Sequence, residues 1–111
     1  MLPSGNDASL VLAENFGRFL HIENCRTSGS ILKDHLEGDP YDEQVSRIYM
    51  IKFIRRMNKE ASNLRLCNTS FSNPHGLSDK ANKSSAQDVT RLTFAALKYP
   101  LFSEIIKKYS F

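Results

Sequence analysis

Apolar residues recur with helical spacing near the start of the chain. At about 100° per residue, residues 8–20 place an apolar set on one side of a helix and a charged set on the other. The apolar set is Ala8, Leu12, Phe16, Phe19 and Leu20, and the charged set is Asp7, Glu14 and Arg18. Turn-forming and N-cap residue types precede this stretch, at Pro3, Gly5, Asn6 and Asp7. The pattern therefore predicts a turn over residues 2–7 and a helix that begins at about Ala8.

A second amphipathic stretch runs from Asp42, a suitable N-cap, to about Arg65. Its apolar face is formed by Met50, Ile54, Met57, Ala61 and Leu64, and its basic face by Lys52, Arg55, Arg56 and Lys59. A basic stripe opposite an apolar stripe is typical of a helix that packs on one side and meets solvent on the other.

Two further helices are predicted near the end of the chain. The "SAQD" segment from Ser85 to Asp88 has the form of a capping box, in which Asp88 bonds back to the first turn of its own helix. Pro100 ends or kinks that helix, and "LFSEIIKKY" allows one more short helix. A short strand at Thr69 to Ser72 is the main strand signal, so the chain is predicted to be mainly α.

Two stretches interrupt the helical pattern. Residues 21–42 collect Gly29, Gly38, Pro40 and most of the acids, which predicts a loop or an insertion with about one helical turn. Residues 67–85, "CNTSFSNPHGLSDKANKSS", are rich in Asn, Ser, Pro and Gly, and they predict irregular backbone.

Composition indicates one small globular domain. The chain has 111 residues, of which 41% are hydrophobic and 24% charged. No apolar run approaches the roughly 18 residues that span a bilayer, and the first residues lack the features of a secretory signal. Cys25 and Cys67 allow either one disulfide or two free thiols.

Charge is unevenly distributed, but it does not predict nucleic-acid binding. Residues 49–111 hold eleven Lys or Arg and four Asp or Glu. No stacking aromatics and no nucleic-acid-reading motif accompany these cations, so a solvated helix face is the better interpretation.

Two other arrangements of reactive residues are less favoured. Ser4, His75 and Asp88 include the residue types of a catalytic triad, but a structural role for His75 in its loop is favoured. His21, Cys25, His35 and Cys67 are zinc-ligand types without a recognised spacing. The sequence therefore predicts neither a metal site nor a cofactor.

Several motifs follow one another in the order of a known enzyme family. They are Ser4-Gly5-Asn6, Met57-Asn58 followed by Ala61 and Leu64, Asn73-Pro74-His75-Gly76-Leu77, and Ser84-Ser85-Ala86-Gln87-Asp88. Over about four fifths of its length, the chain resembles the serine-type D-Ala-D-Ala carboxypeptidases, which are low-molecular-mass penicillin-binding proteins. The stretch from about 21 to 45 falls outside the resemblance and is interpreted as an acidic insertion.

The resemblance implies a role for each motif residue. Enzymes of this type combine a Ser-x-x-Lys nucleophile motif with a Ser-x-Asn and a Lys-Thr-Gly. By resemblance, Ser4 relays a proton to the leaving D-Ala nitrogen, and Asn6 binds the substrate backbone and orients the lysine. Gly5, Asn73, His75, Gly76 and Asp88 are expected to support the site structurally. Arg65 departs from the pattern, since the family usually has glycine there.

The resemblance also implies that two of the three motifs lie outside this chain. The family's Ser-x-x-Lys precedes Ser-x-Asn, and its Lys-Thr-Gly follows the "YPLFSEII" region. Ser30-Ile31-Leu32-Lys33 spells Ser-x-x-Lys, but it lies after the Ser-x-Asn and inside the acidic stretch. Residues 1–111 are therefore expected to be part of a carboxypeptidase domain, truncated at both ends and inactive in isolation.

The parent protein is expected to be a metal-free serine hydrolase with the α/β fold of β-lactamases and DD-peptidases, of which this chain supplies the helical part. The resemblance implies peptidoglycan stem peptides ending in D-Ala-D-Ala as substrates, β-lactams as inhibitors and an extracytoplasmic location. The alternative is a helical binding module that descends from such an enzyme but has lost its chemistry.

Overall fold

Four helices account for most of the structure, a computed structural model that describes residues 5–27 and 42–108. They are α1 (Asn6–Thr27), α2 (Glu43–Asn63), α3 (Ala86–Ala96) and α4 (Pro100–Lys108). Within the described residues there is no β-strand, and the predicted strand at residues 69–72 is reduced to one antiparallel bridge between Ser70 and Lys83. The prediction of a mainly α chain is confirmed.

Local capping signals explain where three of the helices begin. The Asp42 side chain accepts a hydrogen bond from the Gln44 N–H, and Ser85 Oγ accepts one from the Asp88 N–H. Both predicted N-caps are therefore confirmed. α4 begins at Pro100, whose fixed φ and missing N–H suit the first position of a helix.

The predicted end of the first helix was wrong. α1 continues through residues 21–27, which the glycine- and acid-rich composition assigned to a loop. The Thr27 hydroxyl donates to the carbonyl of Asn24 at 3.1 Å and so occupies one of the last carbonyls of α1. The remainder of the predicted loop, residues 28–41, lies outside the described residues.

α1 packs against α2 through its small residues. Ala13 and Gly17 are buried on α1, and a Cβ added at Gly17 would overlap the backbone carbonyl of Tyr49 on α2. The His21 and Tyr49 rings lie beside this contact, with centroids 5.8 Å apart. The absence of a side chain at Gly17 therefore sets how closely the two helices approach.

The predicted buried face of α1 was also wrong. Leu12, Phe16 and Phe19 are 56%, 53% and 69% exposed, although they were expected to face the core. Phe16 still contacts α2, where its ring stacks on Phe53 at a centroid distance of 6.4 Å. The hydrophobic pattern predicted that the large apolar side chains of α1 are buried. The buried residues are instead the small ones, because the two helix backbones approach closely.

A second buried cluster lies where α2 ends and α3 begins. Ala61 and Leu66 are each 4% exposed, and Asp88 is 2% exposed. From α3 to α4 many large apolar side chains are exposed, and Phe94, Tyr99 and Leu101 reach 67–69%. The described residues therefore contain two buried clusters, one between α1 and α2 and one at the α2–α3 connection.

We expect Gly17→Ala to loosen the α1–α2 pair, because the new methyl group would meet backbone that cannot rotate away. Overpacking of this kind typically costs about 1–3 kcal/mol of unfolding free energy. Urea unfolding followed by circular dichroism measures the change. Gly5→Ala is the matched control, since a Cβ there meets only the Ala8 Cβ at an ordinary 3.6 Å. Equal stability of the two variants would contradict the proposed close contact.

Candidate functional site

The connection between α2 and α3 is anchored by the buried Asp88 carboxylate. Its Oδ2 accepts hydrogen bonds from the Asn68 backbone N–H and from the Thr69 hydroxyl, both at 2.8 Å. Asp88 therefore does not bond back to the first turn of its own helix, as the capping-box pattern predicted. Ser85 caps that turn alone, which leaves the carboxylate free to hold the connection.

Asn58 holds the same connection from α2. Its Oδ1 accepts from the Phe71 N–H at 2.8 Å, and its Nδ2 donates to the Phe71 carbonyl at 2.8 Å. A side-chain amide can accept from a backbone N–H and donate to a backbone carbonyl at the same time. Two anchors thus fix residues 68–71, one from each flanking helix.

The predicted support residues Asn73, His75 and Gly76 form one closed turn. Asn73 Oδ1 accepts from the Gly76 N–H at 2.9 Å, and its Nδ2 donates to the Leu77 carbonyl at 3.1 Å. His75 Nδ1 accepts from the Leu77 N–H at 3.1 Å. Gly76 has a φ of 76°, a left-handed conformation that favours glycine. Side chains of the turn therefore form hydrogen bonds with the Gly76 N–H, the Leu77 N–H and the Leu77 carbonyl of the same turn.

Only part of the predicted Ser-x-Asn turn is described. Gly5 is exposed, and its carbonyl accepts the Ser9 N–H at the start of α1. Asn6 is the first residue of α1 and is partly buried. Ser4 and the Ser-x-x-Lys spelled by Ser30 to Lys33 lie outside the described residues. The catalytic roles assigned to Ser4 and Asn6 stay predictions.

The segment that contains both anchors and the closed turn matches a known protein family. The model of the D-alanyl-D-alanine carboxypeptidase peptidases matches residues 50–110, more than half of the chain. The chain belongs to the D-alanyl-D-alanine carboxypeptidase family. This confirms the resemblance found in the sequence.

Curated relatives of this carboxypeptidase family member come from several bacteria. The D-alanyl-D-alanine carboxypeptidase of Streptomyces sp. (strain K15) is 32% identical over 107 residues, 96% of this chain. The D-alanyl-D-alanine carboxypeptidase DacF of Bacillus subtilis is 40% identical over 58 residues, 52% of this chain and 15% of that protein. The D-alanyl-D-alanine endopeptidase of Escherichia coli is 43% identical over 53 residues, 48% of this chain and 17% of that protein.

The chain spans only a minor part of these family members, 28% of the length of the Streptomyces relative. No solved structure matches it significantly. No helix among the described residues is long and apolar enough to cross a membrane.

The structure does not assemble the triad that the residue types allowed. His75 Nδ1 is bonded to the Leu77 N–H, while Asp88 Oδ2 is bonded to Asn68 and Thr69. His75 and Asp88 therefore serve separate parts of the connection.

The residues with zinc-ligand side chains that the sequence contains do not form a metal site in the part of the chain that the structure describes. His35 lies outside that part. His21 Nε2 and Cys25 Sγ are 3.9 Å apart, and no third His, Cys, Asp or Glu within residues 5–27 and 42–108 completes a group with them. Cys25 and Cys67 are both free thiols, so the alternative of a disulfide between them is not realised.

The basic face of α2 is partly neutralised by its own helix. Arg56 Nε lies 2.7 Å from Glu60 Oε1, and this hydrogen bond, with a second from Asn63, lowers the pKa of the Glu60 carboxyl. Both partners are exposed, and the pair is one turn apart on the helix, so it adds little stability. Arg55, Arg56 and Lys59 are exposed, as the sequence predicted, whereas Lys52 is half-buried. These four basic residues line a groove together with Leu20, Glu23 and Asn24 of α1, so the face is only partly solvated.

Sequence reasoning missed the part played by Asn58, Thr69 and Asn82. Asn82 Oδ1 accepts from the Ser72 N–H at 2.7 Å, and its Nδ2 donates to the Leu77 carbonyl at 3.2 Å. The density of Asn residues in an irregular stretch is a signal of side chains that replace backbone partners, but it does not say which partners they replace.

We expect Asp88→Ala to destabilise the α2–α3 connection, because the Asn68 N–H and the Thr69 hydroxyl would lose a charged acceptor. The loss should be about 2–4 kcal/mol of unfolding free energy, measured by urea denaturation. Asp79→Ala is the control, since that exposed carboxylate accepts only the Ala81 N–H within its own turn. Losses of equal size would show that Asp88 is no anchor.

Asn58→Asp should make stability depend on pH. An ionised carboxylate at this position would face the Phe71 carbonyl, whereas the protonated form can donate to it, so the carboxyl pKa in the folded protein should rise above its unfolded value of about 3.9. The stability gained from the protonated form is then fully present below about pH 3.9 and is lost as pH rises through the raised folded-state pKa. Urea unfolding of Asn58→Asp and Asn58→Ala between pH 3.5 and 7 measures this. A difference between the two variants that stays constant with pH would contradict the two-bond geometry.

Proposed function

We propose that the complete protein is a serine-type D-Ala-D-Ala carboxypeptidase, which removes the terminal D-Ala of peptidoglycan stem peptides through an acyl-enzyme. The observation that carries this proposal is the family match over residues 50–110. Its substrate would be a D-Ala-D-Ala peptide, its inhibitors β-lactams and its location extracytoplasmic.

The proposed fold of the complete domain is the β-lactamase-like α/β fold, and residues 1–111 are proposed to form its helical part. The exposed apolar side chains of α1, α3 and α4 support this view, because helices rarely leave so much apolar surface uncovered in a complete domain. The stretch from about 21 to 45 is proposed to be an acidic insertion, with its first residues continuing α1 and its last ones starting α2.

In the proposed mechanism, Ser4 and Asn6 act on the substrate from the turn before α1. Acyl transfer needs a proton route to the leaving amine, which the Ser4 hydroxyl would supply. The Asn6 amide would bind the substrate backbone and orient the lysine of a Ser-x-x-Lys motif. Gly5 would allow the tight turn, and Asn73, His75, Gly76 and Asp88 would keep the neighbouring backbone in place.

A second candidate is an endopeptidase activity, in which the same acyl chemistry cleaves a D-alanyl bond in the interior of a peptide instead of its last bond. The 43% identity with the Escherichia coli D-alanyl-D-alanine endopeptidase favours it. Peptides with a free terminal D-Ala and peptides extended beyond it would distinguish the two activities, since a carboxypeptidase needs the free end.

In the complete enzyme, we expect Ser4→Ala to slow turnover of a D-Ala-D-Ala peptide by roughly 10²–10⁴-fold, because a general acid–base group is lost. Asn6→Ala should have a similar effect, and the double variant should be far from additive because both residues serve one assembly. Turnover assays with parallel thermal melts measure this.

Ser30→Ala and Lys33→Ala are the controls, with rates expected within about twofold of the unmodified enzyme. Full activity of Ser4→Ala together with an inactive Ser30→Ala would place the nucleophile motif in the acidic stretch instead. If neither motif residue matters and no acyl-enzyme forms with a labelled penicillin, the non-catalytic binding module becomes the better interpretation.

A further inference from the structure

A groove of ≈ 190 Å³ lies between α1 and α2, along the basic face of α2. All four cationic side chains of that face line it: Lys52, Arg55, Arg56 and Lys59. Their spacing of three and four residues places them on neighbouring turns of the helix, over about 10 Å from the first to the last. Neither Asn6 nor any residue of the closed turn lines this groove, so it is separate from the proposed catalytic turn.

The wall on the side of α1 carries a single negative charge. It is formed by Leu20, Glu23 and Asn24. Within the described residues, Glu23 forms no ion pair with any of the four cations. One carboxylate therefore lies across from four cations, and the groove is positively charged. A cleft lined mainly by one sign of charge concentrates ions of the opposite sign.

Most of the positive charge in the groove is not compensated by the protein. Arg56 is paired with Glu60, but Lys52, Arg55 and Lys59 form no ion pair within residues 5–27 and 42–108. Like charges three and four residues apart on a helix repel each other. Lys52 is also half-buried, so it is less screened by water than a fully exposed lysine. A bound anion would relieve this repulsion.

We propose that this groove binds a compact phosphate-bearing anion, of which diphosphate is the simplest form. A phosphate group can accept from the fork of a guanidinium group and from an ammonium group together, because it has several oxygens and more than one negative charge. Two linked phosphates can reach cations from successive turns of α2. The groove is walled by both helices, which favours a small anion over a flat lipid surface. This binding does not depend on the proposed function.

The test is a titration of the isotope-labelled 111-residue chain with sodium diphosphate at low ionic strength, followed by backbone amide NMR shifts. We expect saturable binding, with a dissociation constant on the order of 1 mM or below and shifts concentrated at residues 20–24 and 52–59. Citrate, a carboxylate anion of similar charge, should bind at least about tenfold more weakly. Equal binding of citrate, or no saturable shifts in these residues, would overturn the proposal.

Two charge-matched double variants locate the binding groups. Lys52→Met with Arg55→Gln should weaken diphosphate binding at least about tenfold, because two cations of the groove are lost. Arg47→Gln with Lys107→Met removes the same charge outside the groove and should leave binding within about twofold. Equal affinities of the two double variants would show general attraction to a basic protein and would overturn the site.

Glu23→Gln tests the same site in the opposite direction and keeps all four cations in place. It should strengthen diphosphate binding about threefold or more, because the carboxylate in the groove repels the anion. Glu14→Gln is the control, since Glu14 lies on α1 but does not line the groove. Binding to Glu23→Gln that is unchanged or weaker would contradict the proposal, whatever the stability of the double variant.

Vesicles of phosphatidylglycerol and phosphatidylcholine test a lipid surface as the source of the phosphate groups. We expect the two double variants to sediment with these vesicles to the same extent, because the groove admits a small anion. Vesicle binding that requires Lys52 and Arg55, without binding of free diphosphate, would overturn the proposal in favour of a membrane surface. None of these measurements depends on the proposed catalytic residues, so their failure and the failure of the proposed activity are distinguishable.

Discussion

The Asp88 carboxylate belongs to the first turn of α3, yet both of its hydrogen bonds go to the segment that follows α2. A buried carboxylate is costly unless its charge is compensated. Here two donors and the positive end of the α3 dipole compensate it. Because Ser85 caps the helix, the Asp88 side chain is available to bond with Thr69 and Asn68, which precede it by 19 and 20 residues. The turn at 73–77 follows directly from the segment that Asp88 holds.

Helix starts were predictable because each depends on residues close together in sequence. Asp42 and Ser85 bond to N–H groups two and three residues ahead, which a local pattern can identify. The partners of Asn58 and Asp88 lie 13 to 20 residues away, beyond any periodicity. The prediction of the buried face of α1 was wrong for another reason. Gly17 is buried because it has no side chain and lets the α2 backbone approach, and a hydrophobicity pattern does not detect such a contact. In the candidate site, local patterns identified the residues that take part, but the hydrogen bonds between them could be seen only in the folded structure.

The end of α2 shows how a residue other than glycine is accommodated at Arg65, where the sequence resemblance implies glycine. α2 ends with the Leu66 N–H bonded to the Ala61 carbonyl and the Arg65 N–H bonded to the Ser62 carbonyl, which is the Schellman arrangement. This arrangement places Arg65 at a φ of 57°, where glycine is usual and another residue costs about 1–2 kcal/mol. The buried Leu66 side chain and the Asp88 anchor hold the chain in this conformation in spite of that cost.

The polar anchors and the exposed apolar faces lie in different parts of the described structure. Residues 58–88 satisfy their backbone by side-chain hydrogen bonds of their own, so the closed turn does not need covering to keep its shape. α1 and α4, in contrast, expose side chains such as Phe19 and Leu101 that a helix presents to a neighbouring layer. The described structure thus combines a connection fixed by its own polar side chains with helices whose apolar side chains remain exposed, and the two parts owe their shape to different interactions.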